Sequence, residues 1–189
     1  MTLFQTEFAM SQVWQMSAAF LKQTLAVFSA HPGIVLLYAT PVALERAWVV
    51  LRNRPIPGAS LAFLEAFVNL WRLLLCAVAV WIVVTPAEAA YLLRILQSNS
   101  LIQATVDSLS LSLGRHLWLL TWEIGFCLAA CFVLNFLLSG FARLWVMGQD
   151  VEPEQKKNRR IAVTAVARNL VLVPLALIYI VIVVRQVLS

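Results

Sequence analysis

The chain has 189 residues, a net charge of +5, 62% hydrophobic residues, 12% charged residues and a mean hydropathy of +0.87. Soluble domains carry about 25% charged residues, so this composition leaves too little polar surface to cover a water-soluble globule. It excludes an ordinary soluble domain and predicts an all-α integral membrane protein, because backbone groups inside a bilayer must be satisfied within the chain.

The first 32 residues are predicted to form a unit distinct from the bundle that follows. Between residues 8 and 30, polar side chains recur on one face of a helix and apolar side chains on the other. Gln12, Gln15 and Lys22 on the polar face would make a lipid-surrounded span costly. We therefore expect an amphipathic helix that lies in the membrane interface.

Residues 33–189 are predicted to form a transmembrane helical bundle. A helix needs about 20 mostly apolar residues to cross the hydrocarbon core. Four stretches meet this requirement, at about 33–51, 66–84, 117–139 and 169–188. The bundle is therefore expected to contain four spans.

The connection between the second and third spans is predicted to be helical at its start. Thr85, Pro86 and Glu88 have the spacing of a capping box with proline at the first helical position. The following residues 107–114 alternate polar and apolar side chains, which is a strand period rather than a helical one. We expect an irregular or amphipathic re-entry towards the third span there.

Basic residues predict the orientation. The connection after the first span carries Arg52 and Arg54, whereas Arg94 and Arg115 are the only basic residues between spans two and three. The connection after the third span carries the largest group: Arg143, Lys156, Lys157, Arg159, Arg160 and Arg168. Since positive charge marks the cytoplasmic side, both termini and residues 85–116 are expected outside, in a bacterial cytoplasmic (inner) membrane.

Glu123 lies inside the third predicted span, where a charged side chain costs several kcal/mol unless it faces protein or water. At about 1.5 Å per residue, Glu123 lies about 9 Å below the outer surface and Arg185 about 6 Å below it. We therefore expect an ion pair between them. The alternatives are that Arg185 snorkels while Glu123 is protonated or reaches a polar pocket, that Glu123 serves transport, or that it contacts another subunit.

The same depth estimate pairs Glu45, late in the first span, with Arg72, early in the second. Both lie in the inner half of the predicted bundle. The alternatives are again snorkelling of the arginine and a polar path through the membrane.

His31 and His116 both lie at the predicted outer ends of spans. Two histidines at one depth are able to ligate a haem, or each a chlorophyll-type pigment. A histidine at a membrane boundary is more often an interfacial polar residue, so no cofactor is expected and pigment or haem binding is the alternative.

The run at residues 152–160 contains Lys156, Lys157, Arg159 and Arg160. Basic residues at this position can contact acidic lipid head groups. The run can equally act only as a topology signal. A nucleic-acid partner is not expected, because no recognition module accompanies the positive charge.

The sequence contains no nucleotide-binding loop, zinc spacing or nucleophile elbow, and its acidic residues are scattered singly. We therefore expect a non-catalytic protein whose partners are the bilayer and other membrane subunits or further copies of itself. An accessory, scaffold or assembly role is the first hypothesis. A small transporter or channel component is the second, and a haem- or pigment-binding subunit the third.

Overall fold

The structure, a computed structural model, describes residues 3–52, 58–85, 88, 90, 94, 97, 99–149 and 152–188. Within these ranges it is helical, with no strand. The helices are α1 (Leu3–Ala30), α2 (Pro32–Leu51), α3 (Gly58–Val83), α4 (Asn99–Met147), α5 (Pro153–Ala167) and α6 (Val173–Leu188), with a π-helical segment (Arg168–Leu172) between the last two. The predicted all-α fold class is confirmed.

Four helical stretches in the described part are long and apolar enough to cross a membrane: Pro32–Leu51, Ala62–Val83, His116–Met147 and Pro153–Gln186. Each contains or overlaps one of the predicted spans, so the chain is a multi-pass membrane protein. The fourth stretch is longer than predicted, because α5, the π segment and α6 follow one another without a break.

Residues 107–114 are helical and lie within α4, so the predicted irregular re-entry is wrong. The segment alternates serine with leucine and contains no β-branched residue, and leucine is a strong helix former. Its alternation therefore lacked the residue types that stabilise strands. The Ser110 hydroxyl donates to the Asp107 carbonyl at 2.8 Å, as serines in helices commonly do.

The π segment lies directly before Pro174. Proline lacks an N–H, and its ring collides with the carbonyl four residues earlier in a regular α-helix. The wider π turn accommodates this proline without breaking the span. At its start the Asn169 side chain donates to the Ala165 carbonyl at 2.7 Å, which satisfies this buried amide locally.

The α1 helix confirms the predicted helix over residues 8–30 and packs against the bundle. Ser17, Phe20 and Thr24 are buried in one stripe, while Gln12 and Lys22 on the predicted polar face are exposed. Its main neighbour is α6, with further contacts to α4. Its placement in the membrane interface remains a prediction.

The packing centres on α6, which contacts α1, α3 and α4, while α2 packs against α3 and α5. The hydrophobic core includes Val35, Ala79, Ile178, Ile182 and Val183. These side chains fix how the other helices pack around α6.

The predicted capping box is confirmed. The Thr85 N–H and hydroxyl donate to Glu88 Oε2 at 2.7 and 2.8 Å, and the Glu88 N–H donates back to the Thr85 hydroxyl at 3.4 Å. Pro86 lies outside the described residues. Of the helical outer connection that follows, Glu88, Ala90 and Arg94 are described and are helical.

Candidate functional site

The Glu123 side chain is completely buried and is held by hydroxyl groups. The Ser17 hydroxyl of α1 donates to Oε1 at 2.9 Å, and the Tyr179 hydroxyl of α6 donates to Oε2. Each carboxyl oxygen therefore has a donor from a different helix. The carboxyl group joins α1, α4 and α6, and hydrogen bonds to a charged acceptor are about twice as strong as neutral ones.

Aromatic rings position the Tyr179 side chain. The Phe20 ring meets it edge to face at 6.4 Å between centroids, and the Phe126 ring lies 6.2 Å away at 31°. Trp14 packs edge to face against Phe126 at 5.7 Å. The Tyr179 hydroxyl is thus aimed at Glu123 by packing from α1 and α4.

The Ser17 hydroxyl links two neighbours at once. Its oxygen accepts a hydrogen bond from Trp122 Nε1 at 3.3 Å and lies 3.1 Å from the Val13 carbonyl. A hydroxyl has a single hydrogen, and the carboxyl oxygen at 2.9 Å is the stronger acceptor. Trp122 therefore orients the serine that serves Glu123. Ser17, Trp122, Glu123 and Tyr179 are called the Glu123 cluster below.

The predicted ion pair between Glu123 and Arg185 is wrong. Arg185 Nε donates to Glu88 Oε1 at 2.9 Å, and its NH1 donates to the Val83 carbonyl at 3.1 Å. A cation at the C-terminus of α3 is favoured by the exposed carbonyl groups there. The residues had similar estimated depths, but Arg185 points towards the end of α3 and Glu123 towards α1 and α6.

Glu88 lies outside the spans and has a lowered pKa. Hydrogen bonds from the Thr85 backbone N–H and then from its hydroxyl have the largest effects, followed by the bond from Arg185. Each stabilises the charged carboxylate. Thr85, Glu88 and Arg185 together tie the ends of α3 and α6.

Glu45 is the second buried carboxylate. Its side chain is 6% exposed and lines a cavity of about 200 Å³ between α2 and α3. Arg46 Nε lies 3.4 Å from Oε2 without hydrogen-bond geometry, so this oxygen has a charged neighbour but no hydrogen-bond partner among the described residues. The cavity is lined by Glu45, Arg46, Glu65, Val68, Asn69 and Arg72 and is called the Glu45 cavity.

The predicted ion pair between Glu45 and Arg72 is wrong, although both residues line the Glu45 cavity. Arg72 NH1 donates instead to Asn69 Oδ1 at 3.1 Å, one turn earlier on the same helix. The depth estimate placed the two side chains at one level. Each residue instead has a neighbour on its own helix: Arg46 lies beside Glu45, and Asn69 accepts a hydrogen bond from Arg72.

His31 and His116 are both exposed. His31 lies between α1 and α2, where its backbone carbonyl accepts from the Val35 N–H at 3.1 Å. Among the described residues, no group of three or more His, Cys, Asp or Glu side chains is arranged to hold a metal ion. Haem or pigment binding by the two histidines stays a prediction that the geometry leaves untested.

The basic run divides into two sets. Lys156, Lys157 and Arg160 line a cavity of about 420 Å³ together with Arg143 of α4. Arg159 points elsewhere and donates to Gln149 Oε1 at 2.8 Å. Three of the four predicted lipid contacts therefore share one cavity with a basic residue from another helix.

Sequence reasoning missed Ser17 and Tyr179 as partners of Glu123. Ser17 shares the buried stripe of α1 with Thr24, and Tyr179 is the single hydroxyl-bearing residue within α6. A hydroxyl on an otherwise apolar helix face was the available signal. The predicted partner of Glu123 was a residue of opposite charge, so the hydroxyl groups were not predicted as partners.

The chain matches no protein family model, no curated protein and no solved structure. Its function is therefore inferred from side-chain geometry. The Glu123 cluster can hold a carboxyl group and lock three helices, whereas Glu45 lines a mainly polar cavity and has one buried carboxyl oxygen without a hydrogen bond among the described residues.

Proposed function

We propose that this protein is a non-catalytic accessory or scaffold subunit of a larger membrane complex, in a bacterial cytoplasmic membrane. The outward face of α4 carries this proposal. In the apolar 18-residue window of His116–Met147, 6% of the residues are buried, against 28–33% in the windows of the other three candidate spans. This part of α4 is therefore the least covered of the four candidate spans.

The exposed face of α4 has the pattern of a helix-packing surface. Gly125, Leu128, Ala129, Phe132 and Phe136 follow helical spacing, and all are exposed. A Cβ added at Gly125 would meet nothing within 4 Å. Small residues allow close approach of a second helix, and neighbouring large side chains provide contact area.

The length of α4 also supports a structural role. Its 49 residues extend over about 73 Å, far more than the hydrocarbon core of about 30 Å. The buried Glu123 cluster fixes this helix to α1 and α6 through hydrogen bonds. A long helix that packs against the bundle along one side is suited to presenting its free face to another subunit.

Photo-crosslinking tests the proposal. A photoreactive amino acid is placed at Leu128, Phe132 or Phe136 of α4, and at Phe63 or Leu73 of α3 as controls of similar exposure. We expect discrete protein adducts from the α4 positions in intact cells and lipid adducts from the α3 positions. Two differently tagged copies show whether the partner is a second copy. Lipid adducts alone at both faces would contradict the proposal.

A transporter or channel component is the second candidate, favoured by the Glu45 cavity. An unbonded buried carboxyl oxygen beside a polar cavity is a common feature of proton and cation paths. Proteoliposomes with an entrapped pH dye test this function. A proton flux that Glu45→Gln abolishes, and Glu123→Gln leaves intact, would support transport, while no flux above protein-free liposomes would reject it for protons.

A further inference from the structure

The end of α4 and the start of α5, which are predicted to face the cytoplasm, form a basic cavity of about 420 Å³. This volume is within the size range of small-molecule sites. Arg143, Val146 and Met147 line it from α4, and Lys156, Lys157 and Arg160 line it from α5. No carboxylate among the described residues belongs to this lining. We call it the basic cavity.

The start of α5 is what brings these cations together. Pro153 occupies the first helical turn and the Lys156 N–H donates to the Glu152 carbonyl at 2.9 Å, so the helix begins directly before the basic run. Lys156 and Arg160 are four residues apart and share a face. Like charges at this spacing repel each other.

Within the described ranges, none of these four cations forms an ion pair, since the two ion pairs found there are Arg46–Glu45 and Arg185–Glu88. Glu154 lies in the first turn of α5 but does not line the basic cavity. Among the described residues, no ion pair therefore compensates this repulsion. An anion in the cavity would relieve it.

The surroundings of the basic cavity indicate where such an anion comes from. Leu144, Trp145 and Met147 at the end of α4 are more than half exposed, and Ile161 of α5 is 42% exposed. A tryptophan beside basic residues at a span end is typical of the head-group region. An anion that enters here meets apolar side chains on the membrane side and cations at the cavity.

A second cavity of about 250 Å³ adjoins the first and shares Arg160 with it. Its lining includes Ser139 of α4 with Thr164 and Arg168 of the fourth span, so it extends along α4 towards the membrane interior. A phospholipid would fit two adjoining cavities of this kind. Its charged head group would occupy the first cavity, and its glycerol group would continue through the second towards the membrane interior. A free phosphate would use the first cavity only.

We propose that the basic cavity binds the phosphodiester head group of an anionic phospholipid, with Arg143 and Arg160 as the main ligands. Guanidinium groups match two phosphate oxygens at once, and Lys156 and Lys157 add positive charge. This site is independent of the proposed scaffold role, since it does not involve the outward face of α4 at Phe132 or Phe136.

Native mass spectrometry of the delipidated protein in detergent tests the proposal. The protein is titrated with phosphatidylglycerol and with phosphatidylcholine of the same acyl chains. We expect tighter binding of phosphatidylglycerol. Because one basic residue contributes about fivefold in affinity for an anionic lipid surface, Arg143→Gln with Arg160→Gln should weaken it about 30-fold.

The matched control removes the same charge outside the cavity. Arg94→Gln with Arg159→Gln changes two exposed arginines that do not line it, and we expect less than about a threefold change. An equal loss in both double variants would show non-specific charge attraction and overturn the proposal. Equal binding of the two lipids would do so as well.

Competition with inorganic phosphate distinguishes a site for a phospholipid head group from a site for free phosphate. Displacement of phosphatidylglycerol by millimolar phosphate would identify a site for free phosphate and overturn the lipid assignment. Circular dichroism checks the fold of each variant. If the Arg143→Gln and Arg160→Gln double variant does not fold, Lys157→Gln replaces it, with an expected weakening of about fivefold.

Discussion

Two buried carboxylates of this protein differ in how they are satisfied. Glu123 is fully enclosed, and each of its oxygens accepts a hydroxyl hydrogen bond from another helix. Glu45 is buried beside a cavity of about 200 Å³, and its Oε2 lacks a hydrogen bond among the described residues. The first arrangement joins helices, whereas the second leaves one buried carboxyl oxygen without a hydrogen bond.

The comparison shows that neither carboxylate follows the simplest rule, in which a buried charge finds an opposite charge on the next helix. Glu123 is satisfied by neutral donors, and Arg46 approaches Glu45 from the adjacent position without a hydrogen bond. Removing a donor should therefore be costly at Glu123. Neutralising the carboxylate should have little effect on stability at Glu45.

The largest effect is expected from Tyr179→Phe. Loss of the hydroxyl leaves Glu123 Oε2 without its donor and should lower the free energy of unfolding by about 1 to 3 kcal/mol, the cost of leaving a buried acceptor unsatisfied. Denaturant unfolding in detergent measures it. Tyr38→Phe is the matched control, since the Tyr38 hydroxyl makes no hydrogen bond within the described residues. Equal effects of the two substitutions would contradict the description of Glu123.

A smaller loss is expected from Ser17→Ala. This change removes the donor to Glu123 Oε1 and the acceptor of the Trp122 Nε1 hydrogen, and should cost about 1 to 2 kcal/mol. Ser29→Ala is the control, because Ser29 is exposed and bonds only to the Ala26 carbonyl of its own helix. If both serines proved equally dispensable, Ser17 would not hold the carboxyl group.

Glu45→Gln should change the free energy of unfolding by less than about 0.5 kcal/mol, or raise it, because it removes a buried charge whose Oε2 makes no hydrogen bond. The same denaturant experiment measures this variant beside Glu123→Gln. A loss as large as that of Glu123→Gln would mean that Glu45 is held as firmly as Glu123, and the comparison would fail.

The smallest effect concerns Glu88. Its pKa is lowered from 4.5 in the folded protein, so its stabilising contribution is complete above 4.5 and disappears as the pH falls through the lowered value. NMR titration of the Glu88 carboxyl carbon should give a midpoint below 4.5. Thr85→Ala and Arg185→Gln should each raise this midpoint, because each removes a group that stabilises the charged carboxylate. A wild-type midpoint at or above 4.5 would contradict the capping box.

The spans and the capping box were predictable because they depend on local features. Span length follows from the bilayer thickness, and the bonds between Thr85 and Glu88 join residues three apart. The helix through residues 107–114 was missed because alternation was weighed above residue type. The segment consists mainly of serine and leucine and has no β-branched residue, so its residue types did not favour a strand.

The partners of Glu123 were not predictable from depth. Hydropathy and helix rise fix how far a residue lies from the surface, but not which way its side chain points around the helix axis. Arg185 was close in estimated depth and nevertheless bonds to Glu88 and Val83. The direction is set by packing, here by Phe20 and Phe126 around Tyr179.

Two double-mutant cycles test most directly whether hydroxyl groups rather than a cation hold Glu123. The first combines Glu123→Gln with Tyr179→Phe, and the second combines Glu123→Gln with Arg185→Gln. Contacting residues show coupling energies of about 0.5 to 3 kcal/mol, and separate sites add within about 0.5 kcal/mol. We predict coupling of about 1 kcal/mol or more in the first cycle and additivity in the second. Additivity in the first cycle with coupling in the second would contradict this assignment.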